Sequence, residues 1–84
     1  MRLIFADEAW EDYRHWQTHD VSMFDRINRL LRAIQREPYS GIGKPETLKH
    51  ALTGFWSRRT SRDQRVVYRV DGDTVLIAQL RVHS

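Results

Sequence analysis

Cysteine is absent from the 84 residues, so neither a disulfide framework nor a thiolate metal site can support the fold. A reducing compartment suits such a chain. Long hydrophobic runs are missing too, and nothing approaches the roughly 20 apolar residues of a membrane span. Residues 1–5 are too short, and too soon followed by acids, to be a secretory leader. The expected location is therefore the cytoplasm, with no membrane partner. A phosphate loop is also lacking: Gly41, Gly43 and Lys44 do not have its spacing, and no strand precedes them. His15 and His19 stand four apart, a spacing that can put two imidazoles on one metal, yet sequence fixes no acid or third His beside them. Surface residues are the better reading of that pair, and no metal or other cofactor is expected.

A chain of 84 residues is expected to form one domain over 1–84. At this size only about 60 to 65% of the unfolded surface is hidden. The three Trp, three Tyr and three Phe are therefore needed chiefly for the core. Charge is unevenly spread: residues 1–25 carry six acids and two bases, residues 26–84 five acids and twelve bases, or −4 against +7. A basic surface concentrated in one part suits a polyanion such as RNA, because Lys and Arg on phosphates release counterions and steer the encounter. An ordinary solvated surface is the competing account.

Along the chain, residues 2–5 read as a short strand, and Asp7 or a close neighbour as the cap of a helix with an acidic first turn. Ala9, Trp10, Tyr13 and Trp16 recur at helical spacing and are assigned to the core. A second helix over 21–36 turns Phe24, Ile27, Leu30, Leu31 and Ile34 to one side and Arg29, Arg32 and Arg36 to the other. Asp25 supports Arg29 from one turn before, whereas no acid so relieves Arg32 and Arg36, which favours phosphate contact there over mere solvation. Pro38 ends the helix. Residues 39–53 read as a loop with at most one helical turn.

The pattern then changes to period two. Strands are expected over 55–60, 65–70 and 74–82, the last two joined by a hairpin turn at Asp71, Gly72 and Asp73. Alternation places Val66, Tyr68 and Val70 opposite Arg65, Val67 and Arg69. It likewise places Leu76, Ala78, Leu80 and Val82 opposite Gln79, Arg81 and His83. The expected fold is α+β: an antiparallel meander with two amino-terminal helices on its apolar face, the other face bearing Arg and His. Pairing of the first strand is not legible.

Cleaving RNA without a metal requires a base for the 2′-hydroxyl proton, a cation for the phosphorane and an acid for the departing oxygen. Glu46 in the loop, Arg65 at the head of a strand and His83 near the chain end can fill these roles. Arg65 is permanently charged and forked to meet two phosphate oxygens. A histidine with an ordinary pKa of about 6.5 can donate near neutrality. Spacing alone does not single these three out, since any basic domain offers a Glu, an Arg and a His. Lys44, Arg58 and Arg59 are further candidate RNA contacts in the basic part, with Arg32 and Arg36 on the helix.

The run Gly43-Lys44-Pro45-Glu46, then Leu48-Lys49-His50, Leu52-Thr53-Gly54-Phe55-Trp56-Ser57-Arg58-Arg59 and Arg65-Val66-Val67-Tyr68 resembles YoeB toxins. Trp10, Trp16 and an end one residue past His83 are similar as well, so the likeness covers nearly the whole chain. The resemblance implies a RelE-like, microbial-ribonuclease-like fold and cleavage of messenger RNA in the ribosomal A site. Glu46 would be the general base, Arg65 the stabiliser of the transition state, His83 the general acid and Lys49 an assistant at the phosphate, leaving a 2′,3′-cyclic phosphate. It also implies an antitoxin of the YefM type with an extended acidic tail, and allows a toxin dimer. Two positions depart from the family pattern: Ser84 stands where a Tyr usually ends the chain, and Ile42 where a base is frequent. Two rival classes remain: a ParE-like inhibitor of gyrase and a non-catalytic RNA-binding module. The trio Glu46, Arg65 and His83 speaks against the first, and insensitivity to mutation of Glu46 would speak for the second.

Overall fold

In a computed structural model that describes residues 1–82, the chain runs β1 (Arg2–Phe5), α1 (Asp7–His19), α2 (Val21–Arg36), β2 (Glu46–Thr47), a 3-10 turn (His50–Leu52), β3 (Trp56–Arg59), β4 (Arg65–Asp71) and β5 (Thr74–Gln79). Asp20 serves both helices. Its N–H donates to Trp16 O at 2.9 Å, closing α1, and its carboxylate accepts from Met23 N at 3.0 Å, opening α2. At the start of α1 the cap is the neighbour of Asp7: Ala6 takes that place and offers no side-chain bond, while Asp7 and Glu8 form the expected acidic first turn, where they favour the positive helix end. Glu37 is extended, as a residue before proline prefers, and α2 stops there.

The sheet order is β1-β5-β4-β3-β2, antiparallel except that β1 lies parallel to β5 from Arg2↔Thr74 to Phe5↔Ile77. Both helices lie on one face. Ile27, Leu30, Leu31 and Ile34 of α2 and Ala9 of α1 meet Val66, Tyr68, Val75, Ile77 and Leu80 in the core. Each buried Leu or Ile contributes about 1.5 to 3 kcal/mol. The aromatic stripe of α1 divides: Tyr13 and Trp16 pack against this core, but Trp10 is 47% exposed, stacked on Tyr13 at the rim.

Two strand readings need correction. Residues 46–47 pair with β3, whereas the sequence pattern predicts a loop there, since two residues are too few to show a period. The faces of β5 are also inverted from the expected ones, since Val75 and Ile77 are fully buried while Leu76 and Ala78 are only half-buried. The cause is a bulge: Val67 pairs with Gln79 but Tyr68 with Ile77, so one step on β4 spans two on β5. Alternation reverses there, and Leu80, three residues beyond Ile77, again faces the core.

Candidate active site

Residues paired across a ladder share a face of the sheet. The pairs Glu46↔Ser57, Ser57↔Val67 and Val67↔Gln79 therefore form one row over four strands, on the face away from the helices. The next row on that face pairs Arg59 with Arg65. Arg65 Nη1 donates to Ser57 Oγ at 3.3 Å, so its guanidinium leans out of its own row toward the partner of Glu46. Glu46 is exposed and Arg65 half-exposed, so a carboxylate and a guanidinium open to solvent flank one buried hydroxyl.

Glu46 keeps this place because the preceding loop is tightly held. Gly43 takes a φ of +87°, and a Cβ there would come within 2.9 Å of Leu30 Cδ2 and 3.0 Å of Arg59 O. Only glycine fits both the backbone angle and the space. Its carbonyl accepts from Arg59 N at 2.7 Å, and Leu48 N donates to Phe55 O at 2.9 Å beyond the short ladder.

Arg58 is not an RNA contact, contrary to the sequence reading. It points to the core face opposite Arg59 and is 0% exposed. Its Nη2 donates to Glu37 O at 2.5 Å and Ser40 O at 2.9 Å, its Nη1 to Ile42 O at 3.2 Å, and its Nε to the Tyr68 hydroxyl at 3.1 Å. Tyr68 passes the chain on, donating to Pro38 O at 2.6 Å. A buried guanidinium is tolerable only when its donors are used in this way: four of its five N–H groups are committed, and the side chain has no exposed surface to offer a phosphate. Burial pushes the Tyr68 phenol above its ordinary value of 10.0, with Arg58 pulling in the opposite direction.

The remaining candidates separate into two groups. Lys44, Lys49 and Arg59 are exposed, the first two within three residues of Glu46 in the chain and the third paired in register with Arg65. Arg32 and Arg36 are exposed on α2, which covers the other face of the sheet, so they do not converge with Glu46. His83 and Ser84 lie outside the described residues. The chain before them is fixed, however: Leu80 N donates to Asp12 Oδ2 at 3.0 Å, Leu80 O accepts from Trp16 Nε1 at 2.8 Å, and Val82 N donates to Gln64 Oε1 at 2.7 Å. Among the described residues, no group of three His, Cys, Asp or Glu could hold a metal ion, and no helix is long and apolar enough to cross a membrane.

Sequence reasoning missed Ser57, Gln64 and Asp12. A signal existed for the last, because Ala9, Asp12 and Trp16 occupy the inward spacing of α1, where a carboxylate needs a partner. Ser57 and Gln64 gave none, since their roles depend on the register of distant strands.

The family model for a YoeB-like toxin of bacterial type II toxin-antitoxin systems matches residues 5–84. The chain belongs to the YoeB family. The toxin YoeB of Escherichia coli K12 is 48% identical to it over 83 residues, 99% of either chain. Among solved structures, a YoeB/ParE toxin from Agrobacterium tumefaciens superposes with a TM-score of 0.94 at 42% identity, covering 100% of both chains. A chain of the heterotetrameric YoeB-YefM toxin-antitoxin complex from Staphylococcus aureus superposes with a TM-score of 0.93 at 42% identity, covering 100% of this chain and 98% of that one. This YoeB-family toxin thus shares its helix pair and five-stranded sheet with those proteins, and the resemblance carried by residues 43–46 and 55–59 holds over the full chain.

Proposed function

We propose that this toxin is a metal-independent endoribonuclease that cuts messenger RNA in the ribosomal A site and so stops translation. The observation that carries the reading is that Glu46 pairs in register with Ser57, whose hydroxyl accepts from Arg65, on the face free of helices. Glu46 takes the proton of the 2′-hydroxyl, and the freed oxygen attacks the adjacent phosphorus. Arg65, with Lys49, bears the charge gathering on the phosphorane oxygens. His83 gives its proton to the departing 5′-oxygen, leaving a 2′,3′-cyclic phosphate and a 5′-hydroxyl end. Lys44 and Arg59 draw the RNA backbone in, while Arg32 and Arg36, on the far layer, suit ribosomal RNA. An antitoxin of the YefM type, as in the S. aureus complex, would find acidic residues attracted to the same basic face, and a toxin dimer agrees with the heterotetramer named there. The cytoplasm is where these partners meet.

The test is in vitro translation with the purified toxin and mapping of cut sites in the messenger. Cuts confined to the A-site codon, needing the ribosome and surviving EDTA at levels that leave ribosomes intact, support the proposal. Equal cutting of free RNA would make the protein a general ribonuclease. The name YoeB/ParE of the A. tumefaciens neighbour keeps gyrase inhibition as the second reading, and a supercoiling assay with the same preparation decides it.

A further inference from the structure

Leu80 lies just past the end of β5, where among the described residues no neighbouring strand takes its backbone groups. Side chains of α1 take both instead: Asp12 Oδ2 accepts from its N–H at 3.0 Å and Trp16 Nε1 donates to its carbonyl at 2.8 Å. Two residues on, Val82 N–H donates at 2.7 Å to Oε1 of Gln64, the residue directly before Arg65. Packing does not require these choices. Asp12 is only 2% exposed, and a carboxylate costs more to bury than an apolar side chain unless donors meet it. A Phe at position 16 would bury a similar ring without the donor that Leu80 uses. Gln64 sits at the partly exposed entrance of β4, where a polar side chain could otherwise face water.

These bonds act on the stretch of chain that leads into His83. We infer that Asp12, Trp16 and Gln64 are positioning residues for the proposed general acid: α1 fixes where the chain leaves the core at Leu80, and Gln64 ties Val82 to the head of β4, so that the backbone entering His83 starts from a fixed point. The inference rests on the ribonuclease reading and on His83 as its acid. It gives the acidic helix and its Trp16 a catalytic consequence that neither composition nor the aromatic stripe suggests.

The test places Trp16→Phe and Gln64→Met separately in the wild-type and the His83→Gln backgrounds. Cleavage of a programmed ribosome is followed under single-turnover conditions, and backbone amide exchange is recorded by NMR. Each variant should lower the saturating rate by on the order of ten- to a hundredfold without changing ribosome affinity, as expected for a misplaced catalytic group. Neither should lower it further once His83 is already Gln, because the group they position is gone. The Val82 amide should exchange faster in Gln64→Met, a readout that needs no activity. Unchanged rates, equal losses in both backgrounds, or a Val82 amide unaffected by Gln64→Met would overturn the inference while leaving the ribonuclease reading intact. A His83→Gln protein that cuts as fast as wild type would instead remove the proposed acid, and the positioning role with it.

Discussion

Arg58 and Arg59 are neighbours in one strand, yet they belong to different parts of the molecule. Arg58 is sealed into the core face and spends its donors on Tyr68 and three loop carbonyls. Arg59 faces solvent on the other side, paired in register with Arg65. The same charge is thus bound into the fold on one face and exposed beside Arg65 on the other, where the proposed RNA surface would lie. A basic run is therefore a poor guide to function until the register of its strand is known. The two faces remain coupled, because the loop that Arg58 anchors leads directly into Glu46.

The largest expected effects lie on the solvent face and leave the fold alone. Glu46→Gln should lower single-turnover cleavage by on the order of 10² to 10⁴, as for a lost general base. Arg65→Ala should lose roughly a hundredfold or more, as for a lost transition-state donor. Both should melt close to wild type, since Glu46 is exposed and Arg65 makes only a long bond to Ser57. Parallel losses of stability would erase the distinction between the faces. The reverse pattern is expected in the core: Arg58→Leu should cost on the order of 3 kcal/mol, because it removes the donor from three part-buried loop carbonyls and from the buried Tyr68 hydroxyl, which keeps only its bond to Pro38 O. Arg59→Leu should stay within about 0.5 kcal/mol. Urea unfolding of the pair measures the difference directly.

Which parts of this were readable beforehand follows from how local each signal is. The bounds of α2 and the Asp71–Thr74 hairpin were legible because a long apolar period and a glycine turn act within a few residues. The parallel pairing of β1 with β5 was not, as it joins segments some 70 residues apart with no local mark. The faces of β5 are not legible from alternation, because a bulge at Ala78 leaves no trace in hydropathy. Glu46 and Arg65 were legible as residue types, but the strand that holds Glu46 and the Ser57 between them were not. A strand over 55–60 does require Arg58 and Arg59 to point apart, although it does not say which turns inward.

Two smaller effects sharpen the comparison. Because the folded Tyr68 pKa is raised above 10.0, the fold favours the neutral phenol. Its contribution is whole below pH 10.0 and is lost as pH climbs through the folded value, so stability should fall in that alkaline window. Tyr68→Phe should remove the alkaline decline while starting about 1 to 2 kcal/mol lower, for the hydrogen bonds it lacks. Denaturant midpoints from pH 8 to 11 are the measurement, and an identical decline in both proteins would move its origin elsewhere. On the helical layer, an Arg32→Ala, Arg36→Ala double variant should bind ribosomes with a salt slope shallower by about one per lost phosphate contact. An unaltered slope would return those two arginines to ordinary solvation.

The central claim is that the helix-free face performs an internal transesterification, and the ends of the cut messenger report on it most directly. Ribosomes programmed with a defined messenger, treated with the toxin, should yield an upstream fragment ending in a 2′,3′-cyclic phosphate and a downstream fragment beginning with a 5′-hydroxyl, both from the A-site codon. A 3′-hydroxyl with a 5′-phosphate would mean that water, not the 2′-oxygen, attacks, and would contradict the roles given to Glu46, Arg65 and His83.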